Sequence, residues 1–238
     1  MHSLSRKKTD EERHEEPDVL DAVRDYVLFH APRGGDVRLD AIQHHLLTEW
    51  DISCSRMPIR TALQQLQREG LVDIEPKART KLCLLDEDQV REVLVMRHLI
   101  EERVAHVLAR SRSERVEEAV SINARIVSCV SSSSVSLREY LDLDARFHEG
   151  LTIAAGFETT FARVQRQMTN RLLLVARPAP SVFVSKDAEL PLIREHQKIL
   201  DAIRSGKTTN AVRAASDHIV SDMQRWHLLP MSVHDFLR

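Results

Sequence analysis

Apolar residues recur at the spacing of helices along most of the chain, and one short stretch has the pattern of paired strands instead. Pro, Gly and Ser punctuate the pattern and mark the ends of the segments. The pattern predicts helices at 17–31, 40–50 and 56–69, strands at 71–74 and 81–85, and further helices at 89–110, 113–130, 136–155, 158–177, 188–205 and 208–227. Ser55, Asp40 and Asp86 stand where residues that cap helices are expected.

The third predicted helix has a polar side that suits nucleic acid. Its core stripe consists of Ile59, Ala62, Leu63 and Leu66. The side chains that suit phosphates and base edges are Arg56, Arg60, Thr61 and Gln64 on this helix, with Lys77 and Arg79 in the hairpin that follows. A helix followed by such a hairpin predicts a winged helix-turn-helix that binds double-stranded DNA. An amphipathic surface helix followed by an ordinary hairpin is the alternative interpretation.

Composition favours a mainly α protein with two domains. The 238 residues include only six Gly, eight Pro and few aromatics, and the length allows a second core beside a DNA-binding domain. The formal net charge is −2, but residues 52–81 carry six basic against three acidic side chains. The positive charge is therefore concentrated on the predicted helix and wing.

Cysteine spacing and hydropathy indicate a cytoplasmic location. The three Cys residues have no CxxC spacing, so neither a disulfide framework nor a cysteine zinc site is expected. No apolar run reaches the roughly 18 residues of a membrane span, and the polar start of the chain has no signal-peptide core. We expect a mobile tail at 1–16, a DNA-binding domain at 17–85, an all-helical bundle of six or seven helices at 86–228 and a C-terminal tail at 229–238.

Three helices of the bundle place ionisable groups within their apolar stripes. Asp144 and His148 are one turn apart, and His196 and His218 lie in the stripes of two later helices. An unpaired buried carboxylate costs several kcal/mol. One Asp and three His in these positions predict a site for a divalent metal, whereas each histidine alone is more typical of a hydrogen-bonded core residue.

The run S-R-x-P-x-R-x-A-L-x-x-L-x-x-E-G-L, at 55–71, resembles the signature of the GntR family of bacterial transcription regulators. Residues 88–228 resemble the FCD effector domain of the FadR-like branch, through the motif D-x-x-F-H at Asp144, Phe147 and His148. We expect the all-helical domain to form a homodimer that positions two recognition helices on a palindromic operator. The resemblance implies a metal held by Asp144, His148, His196 and His218. It also implies a small carboxylate effector bound at the metal.

Two arginines are candidates for binding the effector carboxylate. Arg97 lies on the first helix of the bundle, and Arg171, the weaker candidate, has a surface ion pair as its alternative. Zinc is the expected metal for this ligand set, with nickel or manganese as alternatives. We expect effector binding to change the spacing of the two recognition helices and thereby the affinity for the operator.

Two other functions remain open at this point. Three His and a carboxylate could activate water in a metal-dependent hydrolytic enzyme, with Glu149 or Glu195 as a base. The metal could also be purely structural. The chain departs from the family pattern as well: the second helix is about one turn longer, His44 and His45 stand where an arginine commonly contacts phosphate, and the wing tip has no glycine.

Overall fold

The computed structural model describes residues 18–75, 79–111, 114–131, 137–176 and 186–225. It divides into two compact units, one ending at Cys83 and one starting at Leu84. The described elements are α1 (Val19–Asp25) with a π-helical turn (Tyr26–His30), α2 (Leu39–Trp50), α3 (Arg56–Arg68), β1 (Val72–Glu75), β2 (Arg79–Leu82), α4 (Glu87–Ser111), a 3-10 turn (Glu114–Val116), α5 (Glu117–Ser131), α6 (Leu137–Ala154), α7 (Thr160–Ala176), α8 (Lys186–Ser205) and α9 (Thr208–Arg225). The predicted mainly α class is confirmed.

The first unit packs α1, α2 and α3 around a small apolar core. Ile42 and Leu46 of α2 and Ile59 and Leu66 of α3 are fully buried, so the predicted stripe of α3 faces inward. Ser55 has the extended backbone of an N-cap, but its side chain makes no cap hydrogen bond with the described residues. The other end of α3 matches the prediction, since Gly70 follows with a φ of 75° that a residue with a side chain rarely adopts.

A two-stranded antiparallel hairpin follows α3. Val72 pairs with Leu82 and Glu75 pairs with Arg79. The second strand therefore ends at Leu82, three residues before its predicted end, because its register is fixed by the four residues of β1. The predicted wing residue Lys77 lies outside the described residues.

Helix boundaries in the first unit differ from the pattern at two places. Asp18 caps α1, since its side chain accepts from the amide of Asp21 at 2.9 Å, and the last turn of the predicted helix is a π turn. Arg38 occupies the N-cap position of α2. Asp40 lies within the first turn of α2 and its carboxylate binds the Arg38 guanidinium at 2.7 Å, so it is not the N-cap residue that was predicted.

The second unit is a bundle in which α4 contacts α6, α7, α8 and α9, while α5 contacts α6 and α8. Asp86 and Gln89 form the predicted capping arrangement: the Asp86 carboxylate accepts from the Gln89 amide at 2.8 Å, and the Gln89 side chain accepts from the Asp86 amide at 3.2 Å. The expected tails at 1–16 and 229–238 lie outside the described residues. Among the helices that the structure describes, none is both long and apolar enough to span a bilayer.

Candidate metal centre and nucleic-acid surface

The outer face of α3 carries the side chains predicted to contact DNA. Arg56, Arg60 and Gln64 are exposed and lie one helical turn apart, so they form a continuous row along the helix. They line a groove shared with Val37 before α2 and Thr80 of β2. This row has the length, charge and hydrogen-bonding groups that a helix in the major groove presents to base edges and phosphates.

Two further candidates for DNA contact already have partners within the first unit. Thr61 is exposed, but its hydroxyl donates to the Met57 carbonyl at 3.2 Å. Arg79 is exposed on β2, and its guanidinium is 3.9 Å from the Asp36 carboxylate. Both contacts are solvent-accessible, so phosphate can compete for either side chain.

The two histidines in the longer second helix have different environments. His44 is exposed, whereas His45 is 7% exposed and its Nε2 lies 3.0 Å from the Asp25 carboxylate of α1. A buried imidazole cannot reach a phosphate. His45 therefore does not replace the arginine that resemblance to the family places in this region.

The four predicted metal ligands come together inside the second unit. Asp144 and His148 lie one turn apart on α6, His196 lies on α8 and His218 lies on α9. The three histidines are buried, and the Asp144 side chain is 14% exposed. The apolar stripes of the three helices carry these side chains inward, so burying the stripes also brings the four polar groups together.

Distances between the donor atoms test whether one ion fits. His148 Nε2 is 3.1 Å from His218 Nε2 and 4.0 Å from Asp144 Oδ1. His196 Nε2 is 3.4 Å from the same Asp144 oxygen. Two atoms bound to one zinc at about 2.1 Å cannot be more than about 4.2 Å apart. All three separations satisfy that limit. Donor atoms of His148, His196 and His218 also lie within 4.8 Å of one another, so the three histidines could hold one divalent metal, with Asp144 beside two of them.

Two glutamates, which the sequence analysis did not predict as partners of these histidines, fix the tautomers of His148 and His218. Glu101 Oε2 is 3.0 Å from His148 Nδ1, and Glu195 Oε2 is 3.0 Å from His218 Nδ1. A carboxylate accepts, so each Nδ1 carries the proton and each Nε2 presents a lone pair. Two lone pairs facing each other at 3.1 Å repel unless a cation lies between them or one ring is protonated. Carboxylates that orient metal-bound imidazoles in this way are common in metalloproteins.

Other donors at the centre have no hydrogen-bond partner. The two ring nitrogens of His196 and Asp144 Oδ1 are all buried. None of these three atoms makes a hydrogen bond of acceptable geometry with the described residues. Buried polar atoms usually have partners because leaving them unpaired costs about 1–3 kcal/mol. The His196 ring stacks on Phe147, with centroids 3.9 Å apart and an interplanar angle of 16°. A metal ion would satisfy Asp144 Oδ1 and one of the two His196 ring nitrogens.

Protonation states at the centre also fit a metal. Burial would raise the pKa of Glu101, but the charges of His148 and Arg97 lower it below its ordinary value. Burial opposes ionisation of Asp144 too, and the contacts with His196 and His148 lower its pKa. Burial lowers the pKa of His196 to about 4. At neutral pH the two carboxylates are thus ionised and His196 is neutral, which are the forms that bind metals.

Comparison with known proteins identifies the family. The profile of the FCD domain family matches residues 92–221, which is more than half of the chain. The chain belongs to the FCD branch of the GntR family of transcription regulators. An HTH-type transcriptional regulator of Streptomyces ambofaciens is 27% identical over 170 residues, which cover 69% of this chain and 67% of the relative. The HTH-type transcriptional repressor RspR of Escherichia coli is 24% identical over 169 residues, which cover 69% of this chain and 70% of the relative.

Solved structures share the fold of this GntR regulator. McbR/YncC of Escherichia coli superimposes with a TM-score of 0.73 at 12% identity, covering 88% of this chain and 95% of the other. A GntR transcriptional regulator from a Rhodococcus species gives a TM-score of 0.61 at 19% identity, covering 90% of this chain and 95% of the other.

The hydrolytic alternative is not supported for this GntR regulator. Its sequence relatives are named as transcriptional regulators. The two glutamates considered as bases are also engaged: Glu195 binds His218, and Glu149 accepts from the Arg166 guanidinium. We conclude that the chain is a regulator and not an enzyme.

The two arginine candidates for the effector lie in different environments of the GntR regulator. Arg97 of α4 is 6% exposed, and its Nε donates to Glu101 Oε1 at 2.7 Å, so it borders the metal centre through that glutamate. Arg171 of α7 is half-buried, and its Nε is buried without a hydrogen-bond acceptor among the described residues. The surface ion pair considered for Arg171 does not involve this atom in the described part of the chain.

Proposed function

We propose that the chain is a homodimeric, cytoplasmic DNA-binding regulator whose affinity for a palindromic operator is controlled by a small carboxylate. The effector binds at a divalent metal in the second unit. In this proposal Asp144, His148, His196 and His218 hold the metal, while the row of Arg56, Arg60, Thr61 and Gln64, with Lys77 and Arg79 of the wing, contacts DNA.

One observation carries the metal part of the proposal. His148 Nε2 and His218 Nε2 face each other at 3.1 Å while Glu101 and Glu195 engage both Nδ1 atoms. That arrangement is unfavourable for two neutral rings alone and suits two ligands of one cation. When bound, the cation supplies a Lewis-acidic centre to which a small carboxylate coordinates. Imidazole and carboxylate donors are typical of zinc, and nickel and manganese are the alternatives.

Two arginines would contribute a fixed positive charge to effector binding. The Arg97 guanidinium supplies a positive charge, and its Nε donates to Glu101. Its planar fork lies beside the metal ligands and suits a carboxylate. Arg171 has a buried Nε that lacks an acceptor among the described residues. Arg97 is the stronger candidate, since it shares Glu101 with the metal ligand His148.

Dimer geometry would connect the effector to the operator. In a dimer, two copies of α3 read half-sites about one DNA turn apart. A shift of a few ångströms between the copies removes base contacts at one half-site. Effector binding in the all-helical unit would therefore change operator affinity if it alters how the two copies are spaced.

Thermal stability against a panel of small carboxylates tests the proposal directly. Metal-loaded, full-length protein should show a raised melting temperature with at least one compound, because binding to the folded state stabilises it by mass action. The shift should disappear in His148→Ala and persist in His106→Ala, which changes a half-buried histidine of the same unit. A positive compound is then titrated against a duplex selected by the wild-type protein from a random library. An unchanged operator affinity would contradict effector control.

Chelation separates sensing from the purely structural alternative. EDTA should leave the far-UV circular dichroism of the full chain nearly unchanged and abolish the effector-induced shift. If EDTA instead removes much of the helical signal, the metal is structural and the sensing proposal is wrong.

A further inference from the structure

The first unit contains a second group of metal-ligand side chains, far along the sequence from those of the helical bundle. Asp25 ends α1, His30 ends the π turn that follows it, and His45 lies in α2. Their donor atoms all lie within 4.8 Å of one another. Such a group consists of two imidazoles and one carboxylate, which is a common donor set for zinc and related cations.

The π turn is what brings His30 to Asp25. In an α-helix, residues five apart point about 140° away from each other, because each residue advances about 100°. Here the Ala31 amide donates to the Tyr26 carbonyl five residues earlier, at 2.8 Å, which widens the turn. His30 Nε2 consequently lies 3.8 Å from Asp25 Oδ2. Single π turns of this kind occur frequently at functional sites.

His45 completes the group from the neighbouring helix. Its Nε2 lies 3.0 Å from the same Asp25 oxygen, and its ring centroid is 4.4 Å from that of His30. Both separations from Asp25 Oδ2 are below the limit of about 4.2 Å for two ligands of one zinc. The Asp25 and His45 side chains are buried at 7% and 8% exposure, and the His30 side chain is 44% exposed. Through the exposed His30 ring, an ion can reach the group from solvent.

We propose that Asp25, His30 and His45 bind a divalent cation in the DNA-binding unit, independently of the metal centre in the helical bundle. The cation joins the π turn after α1 to α2. Three protein ligands leave further coordination positions for water on the side of His30, which faces solvent. Tyr26 packs against the His45 ring, with centroids 5.3 Å apart.

Zinc binding to the full-length chain tests this site. Protein is dialysed to equilibrium against micromolar zinc chloride, and bound zinc is measured by mass spectrometry. His30→Ala should lose one zinc per chain relative to wild type, and so should Asp25→Asn, which preserves side-chain shape. His44→Ala is the matched control, because it removes an exposed histidine next to His45 and should lose none. Circular dichroism of each variant checks that the chain remains folded.

Equal zinc in His30→Ala and His44→Ala would overturn the proposal, as would retention of all zinc in Asp25→Asn. The His148→Ala variant keeps this test separate from the proposed function. If His30→Ala loses zinc and His148→Ala does not, the DNA-binding unit holds the site proposed here and the bundle holds no zinc. The reverse pattern leaves the bundle site and removes the one proposed here.

Discussion

Glu101 binds Arg97 with one carboxylate oxygen and His148 with the other, at 2.7 and 3.0 Å. All three side chains are buried. The glutamate thereby connects the candidate effector arginine to a metal ligand through a single planar group. Its position four residues after Arg97 on α4 makes this geometry possible, since residues at that spacing are neighbours on a helix.

Glu101→Gln should weaken zinc binding to the bundle about 10–100-fold, because the neutral amide orients and polarises the His148 imidazole less strongly than a carboxylate does. Competition with a chromophoric chelator measures the affinity. Glu92→Gln, an exposed change on the same helix, should bind zinc like the wild type. Equal affinity in both variants would show that Glu101 does not support the metal.

Acidification should destabilise the chelator-treated protein between about pH 6.5 and pH 4. Burial lowers the pKa of His196 to about 4, so in this range the unfolded chain binds a proton that the folded chain does not. The His196 imidazole alone should lower the free energy of unfolding by about 3 kcal/mol over this pH range. Glu101 and Asp144, whose pKa values are lowered in the folded chain, add to the loss at the acidic end.

Urea denaturation at a series of pH values measures this loss. His196→Gln removes the buried imidazole and should reduce the slope of stability against pH. His44→Gln changes an exposed histidine and should keep the wild-type slope. A wild-type slope in His196→Gln would contradict the assignment of the loss to this ring.

Arg60→Ala should reduce affinity for a duplex selected by the wild-type protein by about 1–3 kcal/mol, because Arg60 lies in the middle of the exposed row on α3. Fluorescence anisotropy at several salt concentrations separates its possible contacts. If Arg60 contacts a base, its loss relaxes the sequence preference. If Arg60 contacts a phosphate, its loss makes the affinity less dependent on salt. Arg91→Ala removes an exposed arginine of the other unit and should leave the affinity unchanged. Wild-type binding by Arg60→Ala would remove this residue from the interface.

Glu69→Ala should destabilise the DNA-binding unit by about 1–3 kcal/mol. The Glu69 carboxylate binds the Arg24 guanidinium at 3.2 Å and accepts from the Gln65 side chain at 3.1 Å, which ties the end of α3 to α1. Removing it leaves Arg24, whose side chain is 16% exposed, without this partner. Hydrogen exchange of α3 amides should accelerate accordingly. Glu75→Ala breaks an exposed pair with Lys81 and should cost clearly less stability than Glu69→Ala does.

Helical periodicity predicted the elements well because burial follows it closely. The stripe of α3 is inward, and the helices of the bundle begin and end within a few residues of their predicted bounds. Local alternatives to regular structure were harder to predict. Arg38 takes the N-cap position and pairs with the Asp40 carboxylate, and the π turn at 26–30 depends on which backbone bond forms, so neither feature has a periodic signal.

Tertiary contacts account for what the sequence missed at the sites. The inward positions of His148 and His218 could be predicted from the apolar stripes of their helices. The partner of Glu195 could not, because Glu195 adjoins His196 in sequence but binds His218 of the next helix. That partner depends on how α8 and α9 pack. His45 stands where an arginine commonly contacts phosphate in the family, and its partnership with Asp25 joins side chains twenty residues apart in sequence.

The stack of Phe147 on His196 has a consequence for what the regulator responds to. Because the aromatic ring lies nearly parallel to the imidazole, it holds that imidazole in position even without an ion. A centre whose ligands are already in position needs little rearrangement of its helices to accept a metal. The metal would then stay bound to the protein constitutively. The regulator would respond to binding of the carboxylate and not to a change in metal concentration.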